Sequence, residues 1–199
     1  MSQAHSSQAQ YVTSGDPETV NDSDAKVMAP GQLGKYITIK RPGPAGTAAG
    51  SPEDYRDHTY RYVIADSTMS TAPYPGAVAW WSDKSRFKVT TSPTATARGL
   101  IAGVFKNSYS PLGGRIFIQT SGPSTVKFVD APTAAIAVGV SVIPSATAGK
   151  ADTTAAGTAP PYPTLGIIAG IPNSSGVVAA SGNPANATWV VDLFIPEQP

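Results

Sequence analysis

The chain has 199 residues and a net charge of +1, because 14 lysines and arginines are set against 13 aspartates and glutamates. Charged residues make up only 14% of it, whereas roughly 25% is usual in soluble domains. Such a charge-poor composition indicates either a neutral Ser/Thr-rich exterior or a protein that works inside an assembly. The absence of cysteine excludes disulfides, thiolate zinc sites and cysteine nucleophiles. We therefore expect no cofactor and no metal.

Residues 1–35 are polar, carry four acidic residues and show no sustained hydrophobic period. Such a segment buries too little apolar area to offset its ordering entropy. We expect an extended N-terminal arm, either flexible or ordered against a neighbouring subunit. Its first ten residues lack the cationic start and apolar core of a signal peptide, and no apolar run approaches a membrane span. We therefore expect a soluble protein made in a cytoplasm, with no membrane partner.

Residues 36–74 are predicted to hold the first strands and a linker. A short strand is expected at 36–40, and the Pro/Gly-rich stretch 41–54 reads as a long loop, with a short helix near 52–57. From residue 60 the hydrophobic pattern has a period of two, which is typical of β-strands. Strands are predicted at 60–64, 77–81, 86–90, 115–119, 125–129, 135–142, 165–169 and 189–195.

Turn signals separate these strands, at Ser82-Asp83 and at 111–114, 121–123 and 144–149. Two longer stretches, 149–164 and 172–188, have no period and are expected to be long loops. Short strands about ten residues apart and divided by Gly/Pro turns are typical of a sandwich or small barrel. The prediction is an all-β protein: a β-barrel or sandwich body over 75–199 with long Gly/Pro-rich loops.

Enzyme motifs are absent from the sequence: there is no phosphate-binding loop, dinucleotide-binding glycine motif, HExxH, GxSxG or EF-hand loop. Asp57 and His58, beside Glu53 and Asp54, form a local acid–base cluster. No nucleophile motif accompanies them. A structural role for His58 is favoured over catalysis, and we expect the protein not to be an enzyme.

Basic residues are unevenly distributed. Seven lie between Lys84 and Lys127 with no acidic residue among them, whereas only Lys150 follows residue 128. One interpretation is a basic face, with Arg86 and Lys88 as candidates, that meets an acidic partner such as the acidic arm of another copy. The other is a set of solvated outward strand positions. The spacing is too sparse to predict nucleic-acid binding.

Aromatic residues are concentrated in the first half of the chain. Consecutive residues on a strand point to opposite faces, so one of Trp80 and Trp81 is expected in the core and the other at an interface or against a loop. Trp and Tyr are favoured interface anchors, which makes Tyr74, Trp80 and Trp81 candidate interface residues. An exposed aromatic face would also suit carbohydrate binding.

The runs at 99–105, 114–122, 137–145, 148–151, 165–169 and 189–196 combine aliphatic strands with glycine turns in a recurring order. This order resembles the capsid decoration (cement) proteins of tailed bacteriophages over about residues 75–196. The resemblance implies a small β-barrel or β-tulip body, commonly homotrimeric, that binds the outside of the major capsid protein lattice. Residues 1–35 would form the arm.

The function that this resemblance implies is structural: a virion protein on the capsid exterior, made in the host cytoplasm, that stabilises the mature head. The alternative is another virion module, a head fibre or tail component, with a carbohydrate- or receptor-binding face around Trp80 and Trp81.

Overall fold

The computed structural model describes residues 33–39, 57–92, 100–108, 113–155, 158–159, 163–170 and 188–195. A 3₁₀ turn spans Lys84–Arg86. The ten strands of these residues are β1 (Tyr36–Ile39), β2 (His58–Ala65), β3 (Val78–Asp83), β4 (Lys88–Thr90), β5 (Ile101–Phe105), β6 (Arg115–Lys127), β7 (Ser141–Pro144), β8 (Ala151–Thr153), β9 (Gly166–Gly170) and β10 (Thr188–Phe194). The prediction of an all-β protein with a barrel or sandwich body is confirmed, and of these two the structure has a barrel.

Five strands close a barrel in the order β2-β4-β3-β5-β6, with β6 returning to pair with β2. All neighbours in this ring are antiparallel except β2 and β4, which run parallel. Closure leaves no free edge within the ring. The barrel therefore begins at β2, earlier than the body predicted from residue 75.

The long strand β6 carries the barrel into a second sheet. Its first half pairs with β2 and β5, and its second half pairs with β10, which continues the order β10-β9-β7-β8. The two halves meet at Gly122, whose φ of +85° lies outside the extended region and so bends the backbone locally. The Gln119 side-chain amide donates to the carbonyls of Ser121 (3.0 Å) and Pro123 (2.9 Å), which holds the bend.

Two apolar cores result from the alternation of side chains along the barrel strands. All five barrel strands contribute side chains to the interior core. These side chains include Val63, Trp81, Val89, Phe105 and Ile116. The opposite face of β3 and β5 packs against the second sheet in an inter-sheet core that includes Trp80. The other large side chains of that core are Ile101, Phe128, Ile136, Leu165, Ile168, Trp189 and Leu193.

A third, smaller cluster lies on the outside of the barrel. It is formed by Tyr60, Tyr62 and Phe117 of β2 and β6, against which Leu33, Ile37 and Ile39 pack. Strand β1 is thus fixed to the outer face of the barrel by apolar contact as well as by its ladder with β2.

Several predicted boundaries are corrected by the structure. The predicted turn at 121–123 is internal to β6, because glycine at positive φ bends the strand without ending it. The predicted strand 135–142 begins only at Ser141, after a turn at Gly139. Strand β8 lies in the stretch expected to be a loop. The predicted linker 41–54 lies outside the described residues. So do most of the helix predicted near 52–57 and most of the loop predicted at 172–188.

Candidate interaction surfaces

The two consecutive tryptophans point to opposite faces of β3, as predicted, but both are inside the molecule. Trp80 is 0% exposed in the inter-sheet core and Trp81 is 4% exposed in the barrel interior. The expectation that one ring lies in the core and the other at an interface or against a loop is therefore corrected: each ring lies in a core. The physical reason is that the strand has a core on each side, since a second sheet covers the outer face of β3.

Tyr74 is a packing residue between β3 and the turn that follows β7. Its hydroxyl donates to the carbonyl of Ala148 at 3.3 Å, and a Cβ at Gly149 would contact its ring. Burial raises the pKa of the Tyr74 hydroxyl above its ordinary value. Its ring is partly buried against the barrel core, so most of this candidate interface residue is used within the chain.

Arg86 is the last residue of the 3₁₀ turn, and Lys88 is the first residue of β4. Asp83 caps the 3₁₀ turn by accepting from the Arg86 amide at 3.2 Å, and it also accepts from the Ser85 hydroxyl at 2.7 Å. The Ser85 hydrogen bond is the main reason that the pKa of Asp83 is lowered. Phe87 then adopts a left-handed conformation (φ 54°), so the predicted strand 86–90 begins only at Lys88.

Lys88 belongs to a row of three side chains that crosses the outer face of the barrel. Ile64 of β2 is paired with Lys88 of β4 on one side and with Arg115 of β6 on the other. The neighbouring residues Val63 and Val89 point into the barrel, so the row points outward. Lys88 also lies near Asp66, whose pKa is lowered mainly by a hydrogen bond from Ser82. The structure thus places Lys88, but not the exposed Arg86, in a cross-strand basic row.

The outward side of the second sheet exposes an apolar pair that the sequence analysis did not single out. Phe194 is 49% exposed and Ile167 is 39% exposed. Ile167 is opposite Asp192 in the β9–β10 ladder, and the Phe194 amide donates to the Leu165 carbonyl at 3.0 Å. Phe194 and Ile167 are therefore diagonal neighbours on one face. The only sequence signal was strand alternation: Leu193 and Ile168 lie in the core, so their neighbours face outward.

The two residues of the predicted acid–base cluster differ in position: Asp57 precedes β2, and His58 is its first residue. His58 is buried, and its Nδ1 lies 3.1 Å from the Tyr60 hydroxyl, while Asp57 is exposed. The backbone of Asp57 packs against Gly122. The His58 imidazole is thus inside the fold, whereas the neighbouring Asp57 is at the surface.

Within the part of the chain that the structure describes, no group of three or more histidine or acidic side chains is placed to hold a metal ion. The same residues include no helix with the length and apolar character needed to span a membrane. No model of a known protein family matches the chain, and no curated protein matches it at a significant level.

Proposed function

We propose that this chain is a structural virion protein that binds the outer surface of a phage major capsid lattice and stabilises the mature head, acting as a homotrimer. The observation that carries the proposal is the exposed pair Phe194 and Ile167 on the outward face of the second sheet. The three tryptophans, Trp80, Trp81 and Trp189, are all buried in the inter-sheet core and the barrel interior. An aromatic and an aliphatic residue left exposed together form an anchor suited to a protein partner.

The physical basis is mass action. A protein that binds the assembled lattice better than its separated subunits stabilises the assembly by about 2.7 kcal/mol per site when its free concentration is 100 times the Kd. Many copies, each contacting more than one capsid subunit, add further stabilisation through multivalency. A closed barrel body in a chain with only 14% charged residues fits this role.

The alternative of a carbohydrate-binding virion module depended on Trp80 and Trp81. Both rings are buried in separate cores, so neither is available to stack on a sugar. No observation in the described residues favours that alternative.

The proposal is tested by heating mature heads stripped of this protein and recording the temperature at which their DNA becomes accessible to a dye. Added protein is expected to raise that temperature. Phe194→Asp is expected to need at least a tenfold higher concentration for the same rise, because it places a charge in the apolar contact. The control Ser67→Asp introduces the same charge at an exposed turn of the barrel and is expected to act as wild type. No rise with the wild-type protein would contradict the proposal.

A further inference from the structure

Three buried side chains near the bend of β6 each have one polar atom without a hydrogen-bonding partner in the described part of the chain. These atoms are Gln119 Oε1, Ser124 Oγ and Trp189 Nε1. Gln119 and Ser124 are 0% exposed and Trp189 is 5% exposed. Because roughly nine in ten or more of the buried polar groups in proteins are hydrogen-bonded, three such atoms in one region indicate a bound group that pairs with them.

The orientation of the Gln119 amide is fixed by its own hydrogen bonds. Its Nε2 donates to the carbonyls of Ser121 at 3.0 Å and Pro123 at 2.9 Å, and an amide nitrogen has two hydrogens to donate. Oε1 is therefore the acceptor end, and the amide lies against the residues that lead into Ser124. Gln119 is opposite Val104 of the inter-sheet core, so its side chain starts on the side that the second sheet covers.

Ser124 and Trp189 face the same core from adjacent strands. In the β6–β10 ladder, Val191 is opposite Ser124 and Trp189 is opposite Val126. Val126, Val191 and Trp189 belong to the inter-sheet core. Ser124 is on the same side of β6 as Val126, because side chains alternate along a strand. Ser124 and Trp189 are therefore diagonal neighbours in that core, about 7–8 Å apart.

The three atoms have complementary hydrogen-bonding roles. An indole N–H only donates, an amide oxygen only accepts, and a hydroxyl does both. One water molecule can accept from Trp189, donate to Gln119 and pair with the Ser124 hydroxyl in either direction, and buried waters typically make about three hydrogen bonds. An ion fits less well, because a cation would face the indole N–H and an anion would face the amide oxygen.

We infer that the bend of β6 binds one ordered water molecule, held by Trp189 Nε1, Gln119 Oε1 and Ser124 Oγ. This water links β10 to the side chain that holds the bend, and so fastens the second sheet to the barrel at the strand they share. Trp80 Nε1 is also buried without a partner in the described residues. It is not assigned to this site, because β5 separates its strand from β6. The inference does not depend on the proposed capsid role.

A high-resolution crystal structure of the full chain tests the inference directly. We expect one water with all three atoms at hydrogen-bonding distance, about 2.7–3.2 Å. The inference would be overturned by a direct hydrogen bond from Trp189 Nε1 to Gln119 or Ser124, or by the absence of a water that contacts all three atoms. This measurement needs no variant, so it does not depend on whether a substituted chain folds.

A double-mutant cycle measures the same link in solution. Ser124→Ala and Trp189→Phe each remove one partner of the water, so the second change removes less than the first. By urea denaturation, the unfolding equilibrium constant of the double variant is expected to lie about twofold or more below the value for independent changes.

The control cycle pairs Trp189→Phe with Ser145→Ala. Ser145 is another buried serine, but its Oγ already accepts from the Thr147 amide at 3.1 Å. These two changes are expected to be additive. Additive effects of Ser124→Ala and Trp189→Phe would overturn the inference, and a cooperative unfolding transition shows that each variant is folded.

Discussion

The guanidinium of Arg61 is surrounded by three aromatic rings at the junction of β1 with the barrel. It lies 4.8 Å from the centroid of Tyr36, 5.0 Å from that of Trp81 and 5.4 Å from that of Phe87. The same side chain holds the Gly34 carbonyl. The Arg61 guanidinium thus contacts Trp81 in the barrel interior, Phe87 just before β4 and Tyr36 in β1.

We expect Arg61→Ala to lower the free energy of unfolding by about 2 kcal/mol, because a partly desolvated cation over aromatic rings contributes up to about that amount. Arg61→Lys keeps the charge but loses the planar contact and the hydrogen bond to Gly34, and we expect about half of that loss. Urea denaturation measures both changes.

The matched control is Arg86→Ala. The Arg86 side chain is 73% exposed, and its Nε lies 3.6 Å from Asp83. Exposed pairs of this kind contribute about 0–1 kcal/mol. If Arg61→Ala costs no more than Arg86→Ala, the stabilising role of the aromatic contacts is wrong.

At the scale of elements, β6 decides the architecture because it belongs to both the barrel and the second sheet. Its bend at Gly122 requires a residue without a side chain, for two separate reasons. The φ of +85° disfavours other residues. In addition, a Cβ at Gly122 would collide with the carbonyl oxygen of Asp57 at the start of β2.

These two costs can be separated by comparing Gly122→Ala with Gly139→Ala. Both glycines have a φ of +85°, but no atom lies within 4 Å of a Cβ placed at Gly139. We expect Gly139→Ala to cost about 1 kcal/mol from backbone strain alone. Gly122→Ala is expected to cost at least twice as much, because its methyl group displaces the β2 backbone.

Denaturant unfolding of the two variants measures the difference. Equal losses would mean that the close approach of β6 to Asp57 has no energetic effect, and the account of the bend would then be wrong.

The sequence predicted strands well where alternation was local. The predicted strands at 60–64, 115–119 and 189–195 all overlap observed strands, because period-two patterns depend only on neighbouring residues. The turn predictions failed at two glycines, because glycine occurs both in turns and within strands. A turn was predicted at 121–123, yet the strand continues because all three residues pair with β10, and Ser121 also pairs with β2. Gly139 was placed inside the predicted strand 135–142, yet a turn occurs there.

The candidate interface was harder to predict for a non-local reason. Alternation placed Trp80 and Trp81 on opposite faces, which is what the structure has. It could not show that the outer face is covered, because the covering residues, from Val126 to Leu193, come much later in the chain. The same long-range arrangement leaves Phe194 and Ile167 exposed on the far side of the second sheet.

At the scale of the whole molecule, the barrel and the second sheet share one strand and one core and so present three outward features. One is the barrel face with Lys88 and Arg115, the second is the junction where β1 joins at Arg61, and the third is the sheet face with Phe194 and Ile167. Of these features, the apolar pair Phe194 and Ile167 is the surface that we propose contacts the capsid.

The central claim is a lattice-wide role on a capsid, and the most direct test is the number of copies that a shell binds. Purified protein is added in increasing amounts to mature heads stripped of it, the heads are sedimented, and bound copies are measured by gel densitometry against the major capsid protein. Saturation at hundreds of copies per shell is the predicted result, since a lattice offers a site at every repeat. Saturation at about a dozen copies, or no binding, would contradict the claim and indicate a vertex, neck or fibre component.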